Sequence, residues 1–435
     1  MERGKYFRTR AGQASTLGKR RLRRFTLMLD QEPQSKNIRA ADAVAFQRAV
    51  LDQLRVAGQS AYRGPVFLQM DFFTAARNPP AIYNLPKNYL DLLEKPLEGS
   101  GICLPRLFYR DDRQVKALVV RYHLWGLSSK PGVRVQAEPF RDFLADIDLV
   151  ERIRRDDFED DGRWRCRSNF DDLRNGPFHD DWEPDDDGFR RLAEFERDRQ
   201  SVTRILSGDA YEIQRQMMRM DAQQAHLWQT DHLTCSGLLW AFQNTPKSKG
   251  DPPDNFMNRL AFTMREMTFG PPFTVELHHA PYRKGDSVAF DKALRAALND
   301  FKTKHRYLFP LSSLLNVTIL MIPPEDGGKD LDNLARLILP ALHEIWAPPS
   351  DFAHAFKTDN IQEEDVRDHW EKVRAGLPKE PKYSITEYRA FELPRLPADP
   401  KDGFVRLAIG DGMRPVRFRE EIDEYLEKWE DAVKC

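Results

Sequence analysis

Asp330 and Asp332, two residues apart and followed by Asn333, are the side chains whose types and spacing could do chemistry. They head the stretch KDLDNLARLILPALHEIW, Lys329 to Trp346, in which Leu334, Leu337, Ile338 and Leu342 recur at helical spacing. Two carboxylates therefore meet at a helix N-terminus. One use for them is capping, because Asp and Asn oxygens accept bonds from free backbone N–H groups and their charge suits the helix dipole. The other is a divalent cation: Mg2+ takes hard oxygen ligands, and two close carboxylates can share it while leaving positions open to water.

Holding such a pair in place takes a strand, a loop and a helix. Leu314 to Ile322 is rich in Leu, Val and Ile and reads as a buried strand, and Pro323 to Gly328 reads as the turn after it. Earlier in the chain, FTLMLD from Phe25 reads as a strand, Val44 to Leu54 as an amphipathic helix and Pro65 to Phe73 as a strand. Ala81 to Leu97 follows as a helix and Leu107 to Trp125 as a long strand. The second half repeats this order. FTVEL at Phe273 matches FTLML, VAFDKALRAAL at Val288 matches VAFQRAVLDQL at Val44, and Asn333 with Leu334 lines up with Asn84 with Leu85. Three similar segments in one order indicate a tandem duplication. Lys382 to Arg395 and Phe404 to Ile409 would complete its second copy, and Ala347 to Pro381 reads as a surface excursion.

The pattern D-x-D-N-L, followed by a cation and a Leu-rich helix, resembles the RusA-like Holliday-junction resolvases. That resemblance implies Mg2+-dependent phosphodiester hydrolysis of branched DNA. It also implies a D-D-x-Q strand after the helix, with acids from both elements around the metal, and a two-fold pair of units that a fused chain could reproduce as a pseudo-dimer. The second half supplies Asp330 and Asp332, has Arg336 where the family pattern has Lys, and offers Glu387 in ITEYRAFEL where the D-D-x-Q acid is expected. The implied catalytic set is Asp330, Asp332, Arg336 and Glu387, with Asp330, Asp332 and Glu387 on the metal. The first half is degenerate in the opposite sense. YRDDRQV supplies Asp111, Asp112 and Gln114, and Lys87 falls at the Lys position, but Ala81 and Tyr83 replace the D-x-D. Three readings stay open: an active second half, an exchange in which Asp111 or Asp112 joins Asp330 and Asp332, or a catalytically inactive nucleic-acid-binding subunit of a larger assembly.

The expected fold class is α/β (α+β), a duplicated RusA-like strand-helix-strand-helix-strand unit around an inserted helical domain. Residues 1–24 form a basic arm, 25–135 the first repeat, 136–270 a helical and acidic insert, 271–412 the second repeat and 413–435 a C-terminal helix. At 435 residues, 31% of them charged and with a net charge of -1, the chain has the composition of a globular protein of more than one domain. Net charge names no partner, but KRRLRR does: Lys19, Arg20, Arg21, Arg23 and Arg24 are expected to contact phosphates. The insert offers a surface for a protein partner, and its Met217, Met218 and Met220 read as core packing.

The 4 cysteines contain no C-x-x-C pair, so a reducing, cytoplasmic setting is expected, and no apolar run reaches the length of a membrane span. Weaker signals are a calcium-loop spacing from Glu183 to Glu194, read chiefly as a capped acidic turn, and the set His226, His232 and Cys235, poorly spaced for zinc. His278 and His279 would point to opposite faces of a strand. No Gly-rich phosphate loop or nucleophile elbow is present, which leaves ATP-driven and acyl-transfer chemistry without support.

Overall fold

Helical stripes and short alternating runs build both halves of one mixed sheet. The computed structural model describes residues 9–35, 38–98, 100–123, 130–160, 187–244, 274–283, 285, 287–305, 309–348, 357–377, 381–393, 395, 399–413 and 417–434. Helix α1 (Arg10–Arg21) precedes β1 (Phe25–Leu29), α2 (Ala40–Val56), β2 (Val66–Phe73), α3 (Pro86–Glu94), β3 (Val115–His123) and β4 (Gly132–Pro139). Helices α4 (Phe140–Asp160), α5 (Asp187–Arg197), α6 (Arg199–Val202) and α7 (Gly208–Asn244) follow. The second half runs β5 (Thr274–Leu277), α8 (Ser287–Lys304), β6 (Leu315–Ile322), α9 (Leu331–Trp346), α10 (Glu364–Gly376), β7 (Ile385–Glu392), β8 (Phe404–Asp411) and α11 (Phe418–Lys434).

The 8 strands lie in the order β1-β4-β2-β3-β7-β6-β8-β5. Read from either edge to the middle, each half contributes its first, fourth, second and third strand. Within each half the second and third strands are parallel, joined by α3 or α9 as a crossover. The two halves meet where β3 pairs antiparallel with β7, Arg121 opposite Glu387 and Ala117 opposite Phe391. Helices cover both faces of the central strands, which is why β2 and β6 read as nearly unbroken apolar runs.

On one face, α2, α3, α8 and α9 pack on Leu68, Met70, Leu118, Val120, Val317, Ile319 and Tyr388. On the other, α1, α4 and α11 pack on Phe67, Val119, Leu320 and Phe391. Helix α9 is the best anchored of the crossovers. It buries Leu334, Ala335, Ile338, Leu339, Leu342 and Trp346, and the Trp346 indole donates to the Leu298 carbonyl at 3.0 Å. Truncating such a buried aromatic costs ~3–5 kcal/mol, so α9 is firmly fixed at its C-terminal end.

The stretch expected as a surface excursion instead contains α10, whose Val366 and Trp370 pack with Ala210, Ile213 and Met217 of α7 in a small third core. The excursion reading is corrected because a Trp and a Val at helical spacing find an apolar partner in α7. The expected boundary at residue 135 also shifts, since β4 runs on to Pro139 to complete its pairing with β2. Among the described residues, no helix is long and apolar enough to cross a membrane.

Candidate metal centre

Helix α9 begins at the end of the sheet where β6 finishes. A crossover helix runs back antiparallel to its strands, so β7, the strand it feeds, starts at the opposite end, about 26 Å away for an 8-residue strand. The strand that starts beside α9 is β3, because it pairs antiparallel to β7 across the joint between the halves. Asp112, in the 3-10 turn Asp112–Gln114 that leads into β3, is thereby delivered to Asp330 and Asp332. One carboxylate oxygen from each of Asp112, Asp330 and Asp332 lies within 4.8 Å of the others.

The capping explanation does not account for these acids. Asp330 occupies the N-cap position of α9 with extended backbone, yet its side chain makes no capping bond. Its Oδ2 accepts from the Asn333 amide at 3.4 Å, and Asp332 lies inside the first turn. The Asp332 side chain is only 3% exposed, and its buried Oδ2 has no hydrogen-bond donor. Burial pushes its carboxyl up to about 6 against the pull of the Lys87 ammonium, and the neighbouring Asp112 and Asp330 charges push the same way. Asp112 is likewise raised by burial. An unsatisfied buried oxygen, hard donors and three carboxylates of like charge, only partly offset by Lys87 and Arg113, are what a divalent cation would relieve, so the residues fit Mg2+.

Lys87 stands among the acids, its Nζ 2.9 Å from Asp112 Oδ2, 3.1 Å from Asp91 Oδ1 and 3.7 Å from Asp332 Oδ2. Burial lowers the affinity of this amine for its proton, but the three carboxylates outweigh that and hold it charged. Arg113 lies at the rim, 3.7 Å from Asp330 and 3.6 Å from Asp111. Asp111 itself caps the 3-10 turn, accepting the Arg113 backbone N–H at 3.0 Å. It is outside the three-acid group, and Arg113 and Arg283 hold its carboxyl low despite some burial.

Two expected sets are placed elsewhere. Glu387 does not join the acids. Strand alternation sends Tyr388 and Ala390 toward α9 and turns Glu387 to the opposite face, where Arg121 reaches it at 3.2 Å and Arg389 at 2.8 Å. Arg389 also pairs with Asp231 of α7 at 3.0 Å. Glu387 is therefore a buried ion-pair partner, and its expected place on the metal is corrected. Arg336 is exposed one turn beyond Asp332, while Lys87 from the other half is the cation beside the carboxylates.

The basic arm is corrected as well. Residues 10–21 are helix α1, and the arginines of the run that ends and follows it form ion pairs within the protein. Arg20 meets Asp146 at 2.7 Å, Arg21 meets Glu430 at 2.6 Å, and Arg23 meets Asp142 at 3.0 Å. Arg24 bridges Glu138 at 3.0 Å and Asp423 at 2.7 Å. Lys19 is exposed. The basic run thus ties α1 to α4 and α11, because Arg forks pair well with buried carboxylates.

Of the weaker signals, the calcium spacing falls partly on residues outside those described, and the rest is helix α5 from Asp187 onward, which leaves no loop at the later ligand positions. His226 is buried with its Nδ1 3.0 Å from the Ala222 carbonyl, while the side chains of His232 and Cys235 lie outside the described residues. His278 and His279 follow β5 rather than lie in it, and His279 meets Phe290 edge-on. No protein-family model, curated protein or solved structure matches this chain.

Proposed function

We propose that this chain is a duplicated RusA-like unit acting as a Mg2+-dependent, structure-specific endonuclease on branched DNA, with one site assembled from both halves. The observation that carries the reading is the meeting of Asp112 with Asp330 and Asp332 around a buried, unsatisfied Asp332 Oδ2. The D-x-D missing from the first half and the D-D-x-Q missing from the second are complementary losses, and the surviving pieces are the ones that converge. Branched DNA as substrate follows from the resemblance to RusA-like resolvases.

Asp112, Asp330 and Asp332 would hold the cation. What a bound Mg2+ supplies at such a position is charge compensation on a phosphate and a more acidic water. Lys87 faces the same point and is held protonated by its carboxylates, so it can pair with a phosphate oxygen as charge builds there. Asp330, 23% exposed at the side chain, sits on the solvent side, and the exposed Arg113 and Arg283 give the approach a positive rim. In the reaction, a water oxygen bonds to phosphorus and gives up a proton to solvent, one P–O ester bond breaks, and the leaving oxygen takes a proton from solvent. Backbone contacts dominate this arrangement, so preference for sequence should be weak.

The test is cleavage of a four-way junction, a flap and a plain duplex, with Mg2+ or chelator, by the unmodified protein and by Asp330→Asn with Asp332→Asn. Cutting that requires Mg2+ and is lost in the double substitution supports the reading. Tight, salt-sensitive binding with no cutting by the unmodified protein would replace it with a catalytically inactive nucleic-acid-binding subunit.

A further inference from the structure

The same register that builds the acidic site defines a second position related to it by exchanging the halves. Val66 pairs with Val115 at the start of β3, and Leu315 with Ile385 at the start of β7. Three residues before those starts stand Asp112 and Lys382, each in a short 3-10 turn, Asp112–Gln114 and Pro381–Tyr383. With Asn84–Leu85 set against Asn333–Leu334, Ala81 corresponds to Asp330, Tyr83 to Asp332 and Arg336 to Lys87. Every acid of the first position is thus absent from the second, and one of them has become a lysine.

This second position is packed and specific. The Tyr83 hydroxyl lies 3.5 Å from His343 Nε2, and the rings meet edge-on at 5.5 Å. Burial pushes the Tyr83 phenol up while the Lys382 ammonium acts against it, which puts Lys382 within electrostatic reach of the ring that replaces Asp332. Lys382 donates to the Asn78 side chain at 2.8 Å and lies over the Tyr383 ring at 4.8 Å, and the one Tyr383 hydroxyl proton has two acceptors, Asn78 Oδ1 and the Pro79 carbonyl, each at 2.8 Å. Helix α9, which carries exposed Arg336, packs against the two 3-10 turns of this position, Ile82–Asn84 and Pro381–Tyr383. A divalent cation would find here a phenol, a buried imidazole and an ammonium, with no carboxylate among the named groups, and the correspondence with Lys87 assigns the exposed Arg336 to the same position. A phosphate oxygen would find two cations.

We propose that each chain hydrolyses a single phosphodiester per binding event, and that the position related to the acidic site is a non-cutting phosphate clamp built on Lys382 and Arg336. This rests on the endonuclease reading above. A two-fold branched substrate would present equivalent strands to the two positions. At Asp112, Asp330 and Asp332 water adds to phosphorus and one P–O bond breaks, while at Lys382 and Arg336 the equivalent strand is only gripped. The product is a nick, where two equivalent acidic sites would give a paired cut.

The experiment uses a supercoiled plasmid carrying an extruded cruciform, with protein in excess, Mg2+ present, and the chain confirmed monomeric at that concentration by sedimentation. Open circles should accumulate first, with linear DNA appearing only later through an independent second event. Linear DNA forming as fast as supercoiled DNA disappears would overturn the single-cut proposal while leaving the endonuclease reading standing. A plasmid that stays supercoiled would overturn both. The clamp has its own readout, the salt dependence of binding to a four-way junction in chelator. Lys382→Gln and Arg336→Gln should each lower the slope of log K against log salt by about one phosphate contact. Slopes unchanged in variants whose circular dichroism matches the unmodified protein would overturn the clamp.

Discussion

With no cation bound, the acidic site should work against folding, and removing one charge should reveal by how much. The perturbation is Asp332→Asn. The Asp332 carboxyl is raised from 3.8 to about 6 by burial and by the Asp112 and Asp330 charges. A folded value above the unfolded one means that the native state binds the extra proton between those limits. The penalty is therefore absent below pH 3.8, grows as pH rises through the interval, and is complete above pH 6. Its full size is ~3 kcal/mol, of which ~1.5 kcal/mol remains at pH 5. Asn keeps the shape, removes the charge and can donate to Asp112 or Asp330. Urea denaturation in chelator should show the variant more stable than the unmodified protein by ~1–3 kcal/mol at pH 8, with the gap about halved at pH 5. Mg2+ at 1,000 times its Kd should reverse the order, since that stabilises the unmodified protein by ~4.1 kcal/mol and the variant has lost a ligand. A variant that is less stable than the unmodified protein at pH 8 in chelator, with Mg2+ affecting neither, would refute the reasoning.

Three further outcomes follow from the same geometry. Lys87→Met should slow Mg2+-dependent cleavage by ~100-fold or more, as loss of one charge-stabilising group does, with turnover under saturating DNA as the readout. Arg24→Ala should cost ~3–5 kcal/mol in chemical denaturation, because it leaves Glu138 and Asp146 buried with fewer partners, while the salt slope of DNA binding stays unchanged. Asp71 is pushed up by burial, yet His123, Arg121 and Arg134 hold it at about 2, so it contributes stability above pH 3.8 that is lost as pH falls toward 2. Asp71→Asn should therefore be destabilised by ~2 kcal/mol at pH 6 and should approach the unmodified protein near pH 2, measured by thermal unfolding across that range.

Much of the architecture was legible as pattern. The alternating and unbroken apolar runs marked the strands, and the matched segments around Val44 and Val288 marked two halves of one order. Asp330 and Asp332 were visible as a pair, and YRDDRQV as the motif that its own half could not use. The sequence left their meeting as one of three open readings, and choosing among them turns on whether a helix and the strand after it share an end. In a parallel crossover they do not, and only the antiparallel joint of β3 with β7 brings Asp112 to α9. Strand alternation separates Glu387 from the site, since Tyr388 and Ala390 are the residues that face α9. The arginines of KRRLRR could not be read correctly in isolation, because Glu138, Asp142, Asp146 and Asp423, which neutralise them, lie far along the chain and arrive only through packing. Trp370 in α10 was a local signal of burial inside a stretch that looked polar on average.

The most direct measurement is a Mn2+ titration followed by electron paramagnetic resonance, on the unmodified protein, Asp112→Asn and Glu387→Gln. A site shared between the halves predicts one tight Mn2+ per chain, weakened at least tenfold by Asp112→Asn and retained by Glu387→Gln once that variant is shown to be folded. Tight binding that survives Asp112→Asn and is lost with Glu387→Gln would contradict it, returning the metal to the second half alone.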